Sequence, residues 1–222
     1  MNKFFAFTKK DELNTELTIY GDIVSMKWFE NDVTHFDFAE ELAKVSTPNI
    51  IVRINSYGGE VSQGLGIYNL LTEWNGNVTT VCDGFACSAA SVVFMAGKSR
   101  VMPKTSLLMI HNAWTIASGD SEDFKKMADD LAKINEPLIE SYVIATGLPR
   151  SKIIKMMNEE TWITADEAFE MGFATKIQEE SFKASLESNT LFNLVEKLKN
   201  FERQLNPEPK PINAWEQYFG KK

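Results

Sequence analysis

Residues 49–64 read NIIVRINSYGGEVSQG, and this stretch decides the fold. Asn49 to Ile54 is a short apolar, β-branched run of the kind found in a buried parallel strand. Gly58-Gly59 follows and opens a helical pattern running to about Trp74, closed by Asn75-Gly76. The same order then repeats. Val78 to Cys82 reads as a strand, Gly84 leads into a helix from Ser88 to Ala96, and Gly97 stops it. Ser106 to His111 (SLLMIH) is the next strand. Strand–turn–helix units in succession predict βαβ crossovers and a parallel sheet covered by helices. Because such crossovers are right-handed, the turns after successive strands fall on one edge of the sheet. Gly58-Gly59 and Ser88 are therefore expected to be neighbours in space.

Outward from this centre the pattern continues. Leu17 to Val24 has strand composition, and Thr34 precedes a helix with Phe38, Leu42 and Val45 on one face, ended before Pro48. A long helix spans about Ser121 to Thr146, with Phe124, Met127, Leu131, Ile134, Leu138 and Tyr142 at helical spacing. Pro137 is expected to kink it, and Gly147 with Pro149 ends it. Thr164-Ala165-Asp166-Glu167 has capping-box spacing and starts a short helix closed by Gly172. After residue 178 the character changes. An amphipathic stripe from Leu191 to Leu205 leads to Pro207, Pro209 and Pro211 and an aromatic end. The expected division is a domain over residues 1–178 and an appendage over 179–222.

The 222 residues carry a formal net charge of -8, which argues against binding nucleic acid, because neutralising phosphates needs clustered Lys and Arg. Cys82 and Cys87 form neither a disulfide framework nor a zinc-ligand set, and they fit a reducing cytoplasm. No run of 18 apolar residues exists, so no membrane partner is expected. Neither a cofactor nor a metal is called for.

Three positions could carry chemistry. Ser88 sits among small residues at a strand-to-helix turn, where unpaired helix N–H groups could hold an oxyanion; a helix N-cap would use a serine in the same place. A serine nucleophile needs an imidazole base, and the chain has two histidines, His35 and His111. His35 falls in the first turn of a surface helix beside Asp37 and reads as solvated. His111 ends an apolar strand at the sheet edge that carries the other candidates. Gly58-Gly59 allows close backbone approach and lacks the lysine of a P-loop.

Taken together these segments resemble the ClpP-like serine peptidases (peptidase S14). Ile54 to Val61 is similar to their INSPGG segment, with Tyr57 where proline is usual. Gly84 to Ser88 looks like their GQAAS nucleophile turn, and Met109 to Asn112 resembles MIHQP. Glu160 to Ala168, with Gly172, is similar to the segment that carries the third triad member. The resemblance covers roughly residues 15 to 177. It implies an α/β fold of the ClpP/crotonase βαβ-spiral type, with the long helix as a handle between rings. It also implies a serine endopeptidase with Ser88 as nucleophile, His111 as base and a Ser-His-Asp/Glu triad. Glu160 stands where aspartate is usual, with Glu159 as competitor. The N–H groups of Gly59 and Ala89, beside Gly58, would serve the oxyanion and substrate. Cys87 and Ser91 are read as packing residues. Trp28, Asp32-Val33, the HNAW at 111–114 and the Pro-rich tail look most like the ClpP-related head-maturation proteases of tailed phages and prophages. That subgroup implies a capsid or scaffold protein as substrate and the host cytosol as location. Partners implied by the wider family are further copies of the chain in a ring and a Clp-type ATPase. Two other readings stay open: a non-catalytic ring or scaffold component, and a crotonase-type acyl-CoA enzyme, against which the Ser–His pair counts.

Overall fold

The computed structural model describes residues 5–30 and 32–178. The amphipathic and Pro-rich segment expected over 179–222 lies outside the described residues. The chain begins with a hairpin, β1 (Phe5–Lys9) and β2 (Asn14–Ile19), followed by α1 (His35–Leu42), β3 (Asn49–Ser56) and α2 (Val61–Thr72). Next come β4 (Asn77–Cys87), α3 (Ala89–Met95), β5 (Ser99–Pro103) and β6 (Leu107–Ile110). The long helix α4 (Ser121–Thr146), α5 (Arg150–Asn158), β7 (Thr161–Thr164), α6 (Ala165–Glu170) and β8 (Lys176–Gln178) complete it.

Among the described residues the strands form one sheet in the order β1-β2-β3-β4-β5-β8, with β6 on β4 and β7 on β6. All pairs are parallel except β1–β2 and β6–β7. The length of β4 makes this branching work. Its first half, Thr79 to Val81, pairs with β5, and its last residues, Phe85 to Cys87, pair with β6. The sequence places a turn at Gly84; the strand instead runs on to Cys87. Gly84 is glycine for space within the sheet, since a Cβ there would lie 2.6 Å from Asn55 Oδ1. The strand expected over Leu17 to Val24 is β2, which starts at Asn14 and ends at Ile19, and Ile23 makes only isolated bridges, to Val33 and Gly59.

One face of the sheet is dry. Ile50, Val52 and Ile54 alternate into it and are fully buried, and every residue of α3 is buried beneath it. Gly64 in α2 lets α3 approach, because a Cβ there would come within 2.9 Å of Ala89 Cβ. The helix ends follow local rules. Thr34 caps α1 by accepting from Asp37 N–H, and capping boxes start α4 (Asp120 with Asp123) and α6 (Thr164 with Glu167). The α4 helix spans the 26 residues expected and runs through Pro137. Only its C-terminal half packs on this domain, through Leu138, Ile139, Ser141 and Tyr142, whereas Phe124 and Ile134 stay 52% and 41% exposed.

Arg100 fastens the far side of the domain. Its buried guanidinium donates to the carbonyls of Phe173, Gly97, Ala145 and Gly172 at 2.7 to 2.9 Å, joining β5 to the end of α4 and the turn before β8. No described helix is long and apolar enough to cross a membrane.

Candidate active site

The C-terminal ends of β3, β4 and β6 converge, as the right-handed crossovers require, and each delivers one component. From β4 comes Ser88, with φ 53° and ψ -126°, between the last strand residue and the first of α3. A left-handed serine costs on the order of 1–3 kcal/mol and persists only where its surroundings fix it. Here they do. Ser88 N–H donates to Met109 O at 2.9 Å, and Ser88 O accepts from Ser91 N–H at 2.9 Å and Ser91 Oγ at 2.6 Å. Ser91 Oγ also lies 2.8 Å from the hydroxyl of buried Tyr142, whose phenol is pushed well above its ordinary pKa by burial. Ser91 is thus the packing residue the sequence expects, and it props the elbow from behind.

Gly58 and Gly59 come from the end of β3. A Cβ on Gly58 would sit 2.6 Å from Cys87 O and 2.9 Å from Ser88 Cβ, so glycine is what lets this turn touch the elbow. Gly58 N–H is taken by Ser56 Oγ at 3.0 Å, and Ser56 Oγ donates to Gly21 O at 2.6 Å. Gly59 forms a parallel bridge with Ile23, made by Ile23 N–H to Gly58 O and Glu60 N–H to Ile23 O, both 2.8 Å. In such a bridge the central residue points its own N–H and C=O away from its partner. Gly59 therefore presents a donor and an acceptor on the side opposite Ile23. Ala89, the first residue of α3, has no intrahelical partner for its N–H.

His111 follows β6. Its Nε2 lies 2.8 Å from Ser88 Oγ, and its Nδ1 lies 3.7 Å from Glu160 Oε2. Glu160 sits in the turn before β7 with φ 48°, its side chain 59% exposed. Glu159 faces Lys155 instead, at 3.8 Å. The loop after the histidine is stapled at two points: Asn112 Nδ2 donates to Asn158 Oδ1 and Ala113 N–H to Asn135 Oδ1, each 2.8 Å. Tyr142, Asn135 and Asn158 support the site without any motif to announce them, because their partners are distant in sequence, whereas Ser56 lies inside the segment that ends in Gly58-Gly59. His35, read as solvated, is instead half-buried with its ring against Gly66, where a Cβ would lie 2.6 Å from the imidazole. Cys87 is fully buried, and burial pushes its thiol up to about 11 and that of Cys82 up to about 12. Thiols held protonated are poor nucleophiles. The arrangement can polarise one hydroxyl, Ser88 Oγ, with an imidazole and offer backbone N–H groups beside it.

The family model for Clp protease matches residues 30–181. Among curated proteins, the ATP-dependent Clp protease proteolytic subunit of Deinococcus radiodurans is 32% identical over 126 residues, covering 56% of this chain and 62% of that one. The subunit of the same name from Porphyromonas gingivalis is 33% identical over 138 residues, covering 61% of this chain and 62% of that one. The chain thus spans about three-fifths of the length of these relatives. A solved ClpP1 mutant from Listeria monocytogenes superposes with a TM-score of 0.64 at 23% identity, covering 75% of this chain and 92% of that one. That likeness concerns the fold.

Proposed function

The chain belongs to the Clp protease family, and on that premise we propose that it is a serine endopeptidase whose nucleophile is Ser88 and whose base is His111. The observation that carries the reading is the 2.8 Å contact between Ser88 Oγ and His111 Nε2 at a strained strand-to-helix elbow. In the reaction, Ser88 Oγ attacks the scissile carbonyl while His111 Nε2 takes its proton. The tetrahedral oxyanion is held by the N–H groups of Gly59 and Ala89. His111 then returns the proton to the departing amine, and water releases the acyl group by the same steps in reverse order of partners. The free N–H and C=O of Gly59 suit an extended peptide added alongside as a strand.

Glu160 is the third member in this reading. It orients the Nδ1–H of His111 and stabilises the imidazolium, for which its carboxylate closes the 3.7 Å gap by about 1 Å to reach charge-assisted hydrogen-bond distance. Glu160→Gln is expected to lower kcat for a fluorogenic peptide at least about tenfold, whereas Glu159→Gln stays within about twofold of the parent. The reverse ranking would move the role to Glu159.

The exposed Phe124 and Ile134 on α4, both ahead of the segment from Leu138 that packs on this domain, support assembly with further copies of the chain into rings, with the handle helix as the contact. The likeness of Trp28, Asp32-Val33 and the HNAW segment to phage head-maturation proteases supports a capsid or scaffold protein as substrate. A Clp-type ATPase is the alternative source of substrate, in keeping with the relatives' names.

A further inference from the structure

We propose that Tyr142 and Ser91 are positioning residues for the oxyanion: acting through the carbonyl of Ser88, they hold the peptide plane that aims the Ala89 N–H. The inference rests on the peptidase reading above and assigns two further residues to the same site.

The groups form one buried chain of hydrogen bonds from α4 to the elbow. Ser91 Oγ lies 2.6 Å from Ser88 O and 2.8 Å from Tyr142 Oη. A hydroxyl has one hydrogen, and a carbonyl oxygen only accepts. Ser91 therefore donates to Ser88 O and accepts from Tyr142, whose phenol is the donor. Burial holds that phenol well above its ordinary pKa and so protonated. Both side chains are buried, and the ring of Phe173, 6.0 Å from that of Tyr142 between centroids, fixes where the hydroxyl lies.

The oxygen at the end of this chain accepts from three donors: Ser91 Oγ, Ser91 N–H at 2.9 Å and Val92 N–H at 3.4 Å. A helix starting at Ala89 supplies the two N–H groups, and the hydroxyl pair is the additional restraint. It is needed because Ser88, at φ 53° and ψ -126°, lies outside the ordinary backbone wells, so backbone preference does not hold the peptide plane that follows it. That plane joins Ser88 to Ala89 and is trans, so the Ala89 N–H points opposite to the Ser88 C=O. Pinning the oxygen into the core turns the N–H the other way, toward the Gly58 turn. A Cβ on Gly58 would lie 2.9 Å from Ala89 N, which puts the donor at that turn. Donation into the C=O also polarises the amide and strengthens its N–H as a donor. The pair works from the side away from the substrate and touches no reacting atom.

The test separates rate from stability. kcat and KM for a fluorogenic peptide, and Tm, are measured for Ser91→Ala, for Tyr142→Phe and for the two combined. Ser91→Ala is expected to lower kcat about tenfold with KM within about twofold, because the oxyanion forms only in the transition state. Tyr142→Phe lowers kcat about threefold, and the combined variant is no slower than Ser91→Ala alone, since both act through one carbonyl. Stability runs differently. Ser91→Ala leaves a buried phenol without its partner and loses several degrees of Tm, whereas the combined variant removes both polar groups and regains most of that loss. A rate that returns with the stability makes the pair structural only and overturns the proposal. So does a shift in the acidic limb of the pH–kcat profile, which would route the effect through His111. If Ser91→Ala does not fold, Tyr142→Phe keeps the ring and decides alone: a kcat within about 1.5-fold of the parent overturns the relay. Fluorophosphonate labelling of wild-type Ser88 is run beside it. Labelled Ser88 with parental kcat in every variant removes the relay and leaves the peptidase reading standing. An unlabelled, inactive wild-type protein overturns both.

Discussion

Replacing Ser88 by alanine is expected to abolish peptide hydrolysis, by roughly 10⁴-fold or more in kcat, while leaving the fold and the assembly state intact. The size follows from the role. Without Oγ there is nothing for His111 Nε2 to deprotonate, and residual turnover comes only from binding and the N–H groups near the oxyanion. The fold tolerates the change because the elbow is held by backbone. Ser88 N–H still donates to Met109 O, and Ser88 O still accepts from Ser91. Alanine meets the same left-handed φ that serine does, so no new strain enters. Peptide cleavage, circular dichroism and sedimentation velocity together check this. Retained cleavage by a well-folded Ser88→Ala protein would sink the nucleophile assignment.

The largest stability effect is expected at Arg100, which contributes no group to the candidate site. Arg100→Met removes the donors of four carbonyls, those of buried Phe173 and Gly97 and of half-buried Ala145 and Gly172. Hydrogen bonds from a charged donor contribute about 1.5–3 kcal/mol each, and part of the loss is recovered because a buried charge is also removed. A net destabilisation on the order of 3–5 kcal/mol is the expected result, read as a drop of about 10 °C in Tm. Arg100→Lys is expected to lose most of the same stability, because a single ammonium cannot span a guanidinium's fork. A denaturant midpoint unchanged to within about 1 kcal/mol in Arg100→Met would contradict the fastening role.

The two positions differ in how visible they are in the sequence. The elbow lies between a strand and a helix whose periodicities are plain, and right-handed crossovers alone bring it next to Gly58-Gly59. The long helix and its boundaries were equally readable, since apolar spacing, an acidic start and Gly147 all agree. Arg100 was not readable. Its strand, Ser99–Pro103, is short, holds an arginine and a proline, and takes its meaning from carbonyls up to 73 residues away. Gly84 misled for a related reason: glycine signals a turn locally, whereas here it clears space for Asn55 within a continuous strand. The stripe on α4 was read correctly as apolar, but periodicity does not say what covers it, and only its C-terminal half is covered by this domain. Glu159 and Glu160 were indistinguishable by type and neighbours. The left-handed turn at Glu160 sends one toward His111 and the other toward Lys155.

The central claim is that Ser88 is an activated nucleophile, and covalent labelling tests it most directly. The purified protein is treated with a fluorophosphonate probe, and the modified peptide is mapped by mass spectrometry. Labelling at Ser88 that disappears in His111→Ala is the result the account predicts. A well-folded protein that takes up no probe at Ser88 would contradict it and leave a Clp-protease fold without catalysis at this serine.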